Sequence, residues 1–368
     1  MYGGGGGYGL GAGAAAPAAA AGTNSNGDNS RDPTVPMPPD DSISALHWNP
    51  ASDILAASSW AGDVRMWMVD QLGNTNPVAQ YRHDAPVLDC RWNKTGTAIA
   101  SAGADNKALL FDVNTQQSRQ VGVHDAPIRS VRWYEENANT PLLITGSWDK
   151  TLRIWDLRQP TPAAQIQCAE RVYCMDASGA VLVAGTANRQ IHIINMNNPT
   201  QIYRTMESSL KWQLRTIAVF PDQSCFAAAS VEGRVAIQNI QETKSSLDFS
   251  FKCHRDSSPT PKVYAVNSIA IHPGYGTFGT AGSDGAIHFW DKDARTRLKM
   301  FMQAGAGTSV SSIAFSRQGT ILAYAVSYDW TKGHEYAPAP GTPNAHQIKL
   351  HQVKDEDIKP RPKKIVGR

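Results

Sequence analysis

The chain has 368 residues, of which 41% are hydrophobic, and a formal net charge of +3. Its five cysteines are odd in number and include no C-x-x-C pair, which argues against a disulfide framework or a zinc site. No apolar run reaches the roughly 18 residues of a membrane span, and the Ala-rich start lacks the charged region and Leu-rich centre of a signal peptide. We therefore expect a soluble intracellular protein that has no membrane partner.

The first segment, residues 1–31, is rich in glycine and alanine, and Leu10 is its only large aliphatic residue after Met1. Such a composition cannot offset the entropy that is lost on ordering, so we predict that this segment is disordered. Order should begin near Asp32. The proline-containing stretch at 33–36 fits an edge position, and we predict that it forms the outermost strand of the last repeat.

A repeated unit follows, over residues 32–357. Each copy has a polar turn residue and then a short apolar strand, and the clearest copy is Trp148-Asp149 followed by Ile154-Trp155-Asp156-Leu157. The turn and strand anchors of successive copies are Asp63/Trp67, Asp105/Phe111, Asp149/Trp155, Asn188/Ile194, Glu232/Gln238 and Asp284/Trp290, and a degenerate seventh copy ends at His351. Anchors roughly 40 to 60 residues apart are typical of WD-type blades. Seven copies predict an all-β fold, a seven-bladed WD-repeat β-propeller.

The best-preserved copies are predicted to contain a chain of hydrogen bonds. The Asp of the turn holds a His of the preceding loop, the His reaches a hydroxyl, and the hydroxyl meets the Trp indole N–H. These groups are His124, Thr145, Asp149 and Trp155 in the third copy, His254, Thr280, Asp284 and Trp290 in the sixth, and His83, Ser101 and Asp105 in the second, where Phe111 replaces Trp. At repeat spacing such a His–Asp pair indicates a structural tie. Since enzyme and metal motifs are also missing, we expect no catalysis, metal or cofactor.

Tryptophan occurs in three turns that we place on one rim of the ring: Trp60, Trp148 and Trp330. Core strands do not explain these indoles, and exposed aromatics are enriched at binding hot spots, so an interaction face is predicted. The alternative is that each ring packs on its neighbouring loop. Four cations lie on loops that lead into first strands near the same rim: Arg129, Arg171, Lys211 and Arg215. Guanidinium groups grip carboxylates with two bonds, which suits an acidic peptide.

A second set combines aromatic and basic residues: Arg234, Phe251, Trp290, Lys292 and Arg295. Stacking on aromatic rings together with cationic phosphate contacts is how single-stranded nucleic acid is held, so this set is a candidate patch for RNA or an acidic partner. The alternative is a surface of ion pairs in which Asp291 and Asp293 neutralise Lys292 and Arg295.

The last eleven residues, 358–368, carry five cations and no acid. Prolines 360 and 362 prevent a helix, so we predict an extended, mobile basic arm. It is either a solvated tail that aids solubility, or a weak nucleic-acid contact or nuclear-import signal.

Four segments carry a resemblance to a known family: 327–335, 289–296, 251–255 and 146–152. They resemble the nuclear-pore-associated messenger-RNA export factors of the Rae/Gle type, and the Tyr-Asp-Trp-x-Lys-Gly-His-Glu stretch at 328–335 is not a general WD-repeat feature. The resemblance extends over about residues 41–364. It implies a seven-bladed propeller that captures the acidic GLEBS motif of an FG nucleoporin and associates with single-stranded RNA. It also implies a location in the nucleus and at the nuclear pore complex of the nuclear envelope, with shuttling to the cytoplasm.

Two alternatives remain open. The spindle-checkpoint propellers of the Bub-three type share the Glu-Gly-Arg-Val-Ala run at 232–236 and bind similar motifs of mitotic checkpoint kinases. A substrate receptor of a ubiquitin ligase would instead bind degron peptides on its rim. The 328–335 insertion and the basic arm favour the export factor.

Overall fold

The computed structural model describes residues 27–28, 32–136, 141–256, 258–302, 308–339 and 341–361. In these residues, seven sheets follow one another along the chain, and successive strands within each sheet pair antiparallel. The first strand of each sheet contacts the first strand of the next, and that of the seventh contacts that of the first. The ring is therefore closed, which confirms the predicted seven-bladed propeller.

The first four blades have four strands each. Blade one contains β2 (Ile43–Trp48), β3 (Ile54–Ser59), β4 (Asp63–Val69) and β5 (Thr75–Arg82). Blade two contains β6 (Val87–Trp92), β7 (Ala98–Gly103), β8 (Lys107–Asp112) and β9 (Gln117–Val123). Blade three contains β10 (Ile128–Tyr134), β11 (Leu142–Ser147), β12 (Thr151–Asp156) and β13 (Ala164–Gln167). Blade four contains β14 (Val172–Ser178), β15 (Val181–Thr186), β16 (Gln190–Asn195) and β17 (Arg204–Glu207).

The remaining blades carry the insertions. Blade five contains β18 (Leu214–Val219), β19 (Cys225–Ser230), β20 (Arg234–Asn239) and β21 (Phe249–Lys252), with a 3-10 helix at Glu242–Leu247. Blade six contains β22 (Val266–Ile271), β23 (Phe278–Gly282), β24 (Ala286–Asp291) and β25 (Thr296–Met302), and β1 (Gly27–Asp28) pairs parallel with β25. Blade seven contains β26 (Val310–Phe315), β27 (Ile321–Val326) and β28 (Gln347–Gln352), with a 3-10 helix at His334–Tyr336, and the short helix α1 (Asp355–Ile358) follows.

The second strands show why the blades can stack. Every residue of β3, β7 and β19 is buried, and these strands consist mainly of alanine, serine and other small residues. Small side chains allow neighbouring sheets to approach closely, and larger residues such as Trp67, Phe111 and Trp155 fill the space between them. Each blade therefore contributes to a core that is shared with its neighbours.

The predicted ties are present. In blade three, the His124 Nδ1 lies 2.8 Å from the Asp149 carboxylate and its Nε2 lies 2.7 Å from the Thr145 hydroxyl. The Trp155 indole N–H donates to the same hydroxyl oxygen at 2.8 Å. Equivalent bonds join His254, Asp284, Thr280 and Trp290 in blade six, and His83, Asp105 and Ser101 in blade two. The His–Asp pairs are thus structural, as expected.

The segment at 33–36 closes the ring. The Val35 N–H donates to the Ile348 carbonyl at 2.8 Å, and the Leu350 N–H donates to the Pro33 carbonyl at 3.0 Å. The predicted outermost strand of the last blade is therefore confirmed. The Trp67 indole N–H donates to the Pro36 carbonyl at 2.9 Å, which also fastens the segment to blade one.

The two ends of the chain are described only in part. Apart from Gly27–Asp28, residues 1–31 lie outside the described residues, as do residues 362–368 of the predicted basic arm. The arm's first residues contact blade six: Ile358 is buried, the Thr277 hydroxyl donates to its carbonyl at 2.8 Å, and the Arg361 N–H donates to Asp291 at 3.2 Å. The disordered start and the mobile arm stay predictions. None of the helices in the described part is long and apolar enough to cross a membrane.

Candidate peptide groove and basic–aromatic patch

One rim of the ring contains a groove, a cavity of about 330 Å³ at the mouth of the central channel. Turns between second and third strands and loops that lead into first strands form its walls. The groove is lined by six of the seven residues predicted for peptide binding: Trp60, Arg129, Trp148, Arg171, Arg215 and Trp330. These residues come from blades one, three, four, five and seven, so only the closed ring brings them together.

The groove tryptophans partly pack on one another. Trp60 and Trp330 stack with ring centroids 4.8 Å apart, and Tyr328 lies 5.6 Å from Trp330. All three tryptophans, including Trp148, keep part of their surface exposed. Blades one and seven are neighbours in the ring, so Trp60 and Trp330 do pack on the loop of the adjacent blade, as the alternative interpretation expects, although both rings stay partly exposed.

Two indole N–H groups in the groove lack acceptors. The Nε1 atoms of Trp148 and Trp330 are buried and have no hydrogen-bond partner among the described residues. A buried donor without an acceptor costs about 1–3 kcal/mol. Trp330 also has a φ of 62°, a left-handed conformation that is unusual for a bulky residue and that is concentrated at binding sites. A bound segment with carbonyl or carboxylate oxygens would satisfy both donors.

Arg215 is held by hydrogen bonds within the groove. Its Nε donates to the Asn267 side chain at 3.1 Å and its Nη2 to the Asp329 carbonyl at 2.9 Å. Burial lowers the pKa of Arg215, and the nearby Asp329 carboxylate partly offsets that effect. Burial opposes ionisation of Asp329 as well, but hydrogen bonds from Ser283, Asn267 and Thr331 outweigh it, so the pKa of Asp329 is lowered. The base of the groove is thus a fixed polar network.

Of the other two arginines, Arg129 is partly buried and Arg171 is exposed. In the described part of the chain, the Arg129 guanidinium makes one hydrogen bond, to the Leu88 carbonyl at 3.1 Å, and most of its donors have no partner there. The Arg171 side chain is 52% exposed, lies 5.7 Å from the Tyr173 ring centroid and is 3.5 Å from Glu170. With Arg215, they give the groove three guanidinium groups, whereas Asp329 is the only acidic residue among the described residues that line it. The groove therefore favours an acidic occupant.

Lys211 lies outside the groove. It is exposed, and its backbone N–H donates to Glu232 at 3.1 Å. Lys211 does lie in the loop before β18, as predicted. The direction of its side chain could not be predicted, because a lysine side chain at a loop tip is flexible and strongly hydrated. The neighbouring Trp212 is 63% exposed and was not predicted, although its place beside Lys211 made it a candidate. Tyr173 and Tyr328 also line the groove, although neither was predicted to bind the peptide.

The predicted aromatic and basic residues of the second set lie on blades five and six, and the Phe249 ring lies beside them. Phe251 and Trp290 contact each other with centroids 4.5 Å apart, and Phe249 lies 6.3 Å from Phe251. The Arg295 guanidinium lies 4.3 Å from the centroid of Phe249. We call Phe249, Phe251, Trp290, Lys292 and Arg295 the basic–aromatic patch.

The cations of this patch differ in their pairing. The Lys292 ammonium donates to Asp293 at 2.9 Å, and although burial opposes its charge, Asp293 raises the pKa of Lys292. Arg295 has no carboxylate within ion-pair distance in the described part of the chain. The ion-pair interpretation thus applies to Lys292 and not to Arg295. Arg234 is opposite Lys252 in the strand register, at the end of β21 away from Phe249, and lies 3.7 Å from Glu232.

Three potential metal ligands meet beside the tie of blade six. His254, Asp284 and His288 each have a ligand atom within 4.8 Å of the others. The two imidazole rings, however, stack at 4.4 Å with an angle of 8° between their planes. Since imidazole binds a metal in the plane of its ring, these parallel rings cannot both donate to one ion in this arrangement.

Comparison with known proteins identifies the family. A family profile described as "WD domain, G-beta repeat" matches residues 36–68, 75–112, 116–156 and 246–291. The chain is 48% identical to the "Poly(A)+ RNA export protein" of Schizosaccharomyces pombe over 92% of its own length and 95% of that protein. It is 46% identical to "mRNA export factor GLE2" of Chaetomium thermophilum, over 91% of the chain and 94% of that protein. The chain belongs to this family of mRNA export factors.

A further member of the export-factor family is similar over most of the chain. "Protein Rae1" of Drosophila melanogaster is 42% identical over 89% of this chain and 95% of its own length. The family assignment therefore covers the whole propeller, and it supports a role in mRNA export. The WD profile does not match blades four and seven or the first three strands of blade five, and these blades also lack the His–Asp tie of blades two, three and six.

Proposed function

We propose that this chain is a non-enzymatic adaptor of mRNA export that captures the acidic GLEBS motif of an FG nucleoporin in the groove. The observation that carries the proposal is the groove itself, where three tryptophans and three arginines converge. Arginine and tryptophan are the residues most enriched at binding hot spots. The nucleus and the pore complex, with shuttling to the cytoplasm, are the locations that this function requires.

The groove suits an extended acidic segment in three ways. Guanidinium groups of Arg129 and Arg171 can hold carboxylates in a bidentate manner, while Arg215 is held in place at the base. The unpartnered indole donors of Trp148 and Trp330 match oxygen acceptors of a peptide. The stacked rings offer apolar contact area.

We further propose that the basic–aromatic patch contacts single-stranded RNA when the nucleoporin is bound. Phe251 is half-buried and keeps part of its ring accessible for stacking, and Arg295 supplies an exposed cation that no carboxylate neutralises in the described part. With few cations in the patch, the affinity for RNA will be modest and strongly dependent on salt.

Calorimetric titration with a synthetic GLEBS segment tests the peptide proposal. Arg171→Glu places an acid in the groove at an exposed position, so folding is retained and the affinity should fall at least about tenfold, which is about 1.4 kcal/mol. Lys211→Glu makes the same charge change on the same rim outside the groove and is the matched control. We expect it to reduce only the association rate, and only at low salt.

Capture from nuclear extract separates the alternatives. An FG nucleoporin should be recovered by the wild-type chain and lost with Arg171→Glu. Equal GLEBS affinity in the wild type and Arg171→Glu would contradict the groove assignment. Recovery of checkpoint kinases or ubiquitin-ligase subunits without a nucleoporin would contradict the export adaptor.

A further inference from the structure

An exposed loop leads from blade five to blade six. The Asp256 N–H donates to the Lys262 carbonyl at 3.3 Å, and the Lys262 N–H donates to the Asp256 carboxylate at 2.9 Å. Arg255 and Val263, one residue further from the tip, form an antiparallel bridge. Residues 258–262 are exposed at the tip, so their side chains are accessible to another protein.

The tip has the sequence Ser258-Pro259-Thr260-Pro261-Lys262. A hydroxyl residue followed by proline is the acceptor sequence of proline-directed kinases, because the following proline has no N–H and a fixed φ. None of the described peptide-binding or tie residues lies in this stretch, so neither the groove nor the ring closure accounts for it.

The two hydroxyls of the tip differ in their surroundings. The Ser258 hydroxyl lies 2.8 Å from both the Asp256 carboxylate and the Thr260 carbonyl. A phosphate on Ser258 would be repelled by Asp256 and would break these bonds. The Thr260 hydroxyl has no hydrogen-bond partner in the described part of the chain, and Lys262 lies two residues away to offset added charge. Thr260 is therefore the better acceptor.

Two further Thr-Pro pairs lie in the described residues, and both are less suited. The Thr342 hydroxyl donates to the Ala339 carbonyl at 2.7 Å. Thr161 is exposed, but the Ala163 N–H, two residues on, donates to Ile154 in the sheet at 2.7 Å, and no cation follows closely. Thr260, by contrast, lies in an exposed loop, and its neighbours at 258–262 are not part of a sheet.

We propose that Thr260 is a phosphorylation site for a proline-directed kinase. The bond between Thr260 Oγ1 and the γ-phosphorus of Mg·ATP forms as the bond from that phosphorus to the β,γ-bridging oxygen breaks. ADP leaves, and the hydroxyl proton passes to the base of the kinase.

The phosphate would add about −1.5 to −2 charges to this rim at neutral pH. The loop leads into β22, whose Asn267 lines the groove. Negative charge here opposes the arrival of an acidic segment and should slow its association at low salt. This consequence, unlike the site itself, rests on the proposed function.

Incubation of the full chain with an active cyclin-dependent kinase and Mg·ATP tests the site. Intact mass and peptide fragmentation should show phosphate mainly on Thr260, with most of it lost in Thr260→Ala and in Pro261→Ala. Ser258→Ala and Thr161→Ala should keep it. Undiminished incorporation in Thr260→Ala, or a major site at Thr161, overturns the assignment.

The same preparations separate the site from its consequence. The phosphorylated chain should bind a GLEBS segment with a slower association rate than the unmodified chain at low salt, and kinase-treated Thr260→Ala should match the unmodified chain. Equal rates would overturn the regulatory effect. Failure of the unmodified chain to bind at all would overturn the proposed function and leave Thr260 to be judged by the mass measurement.

Discussion

The carboxylate of the turn residue Asp149 accepts several hydrogen bonds. Asp149 accepts hydrogen bonds from the His124 ring at 2.8 Å and the Thr151 hydroxyl at 2.7 Å, and from the backbone N–H groups of Thr151 and Asp125. Burial opposes its ionisation, but these bonds outweigh burial and lower the pKa of Asp149. Asn188, at the same position of blade four, accepts from Thr186 and Gln190 alone among the described residues.

We predict that Asp149→Ala lowers the free energy of unfolding by roughly 1–3 kcal/mol, because it leaves buried donors without an acceptor. Asn188→Ala should cost clearly less. Thermal midpoints followed by circular dichroism provide the measurement. Equal shifts in the two variants would mean that the tie of blade three contributes nothing beyond an ordinary turn bond.

His288 is a buried imidazole that no bond supports at Nδ1 in the described part of the chain. Burial, with the nearby His254 and Arg297, lowers the pKa of His288 to about 3. The unfolded imidazole binds a proton near pH 6.5, so the unfolded chain takes up more protons and stability falls as the pH drops from about 6.5 toward 3. Leu109 occupies the corresponding strand position of blade two, opposite the tie hydroxyl.

His288→Leu should therefore keep stability at neutral pH and make it less sensitive to acid. Between about pH 6.5 and 3, the substitution should reduce the slope of the unfolding free energy against pH by up to about 1.4 kcal/mol per pH unit. Thermal midpoints at neutral pH and near pH 5 test this. The exposed His334→Leu is the control and should keep the wild-type pH dependence, and a His288→Leu variant with that same dependence would contradict the prediction.

At the scale of elements, the ring depends on a short stretch before the first blade. Val35 is completely buried, and residues 33–36 bond to β28 on one side and to Trp67 of blade one on the other. The Asp32 carboxylate also accepts the Tyr324 hydroxyl at 2.9 Å and lies 3.1 Å from the His351 ring. Blades seven and one are thus held together by residues distant in sequence.

Deletion of residues 1–36 should lower the unfolding free energy by more than about 2 kcal/mol, since burial of one valine side chain alone contributes about 1.5–3 kcal/mol. Deletion of residues 1–26 removes no described contact and is the matched control. Thermal unfolding of the two truncated chains is the measurement. A midpoint in the 1–36 deletion as high as in the control would show that three strands suffice for blade seven.

On the scale of the whole molecule, the groove and the basic–aromatic patch share no residue. The groove draws on residues from all seven blades around the channel mouth, whereas the patch draws on blades five and six. Trp290 also donates to Thr280 in its tie at 3.0 Å, so its substitution would disturb the fold. The two proposed activities can therefore be separated by substitutions of other residues.

The triple change Phe251→Ala, Lys292→Glu and Arg295→Glu should abolish single-stranded RNA binding by the nucleoporin-bound complex and leave nucleoporin capture nearly unchanged. One stacked ring contributes about 1–3 kcal/mol per base, and each lost phosphate contact should flatten the salt slope by about one unit. Gel-shift titrations at several salt concentrations measure both effects. Wild-type affinity and slope in the triple variant would redirect attention to the basic arm at 358–368.

The sequence by itself determined the blades, since a blade is built from turns and strands that lie close together in the chain. The tie of His124 and Asp149 and the strand at 33–36 follow from spacing and proline placement. Which rim residues share a groove was decided by closure of the ring, because Trp60 and Trp330 meet across its ends and Lys211 lies outside. The repeat pattern determines the position of a residue within its blade, whereas its contacts in the groove depend on residues from other blades.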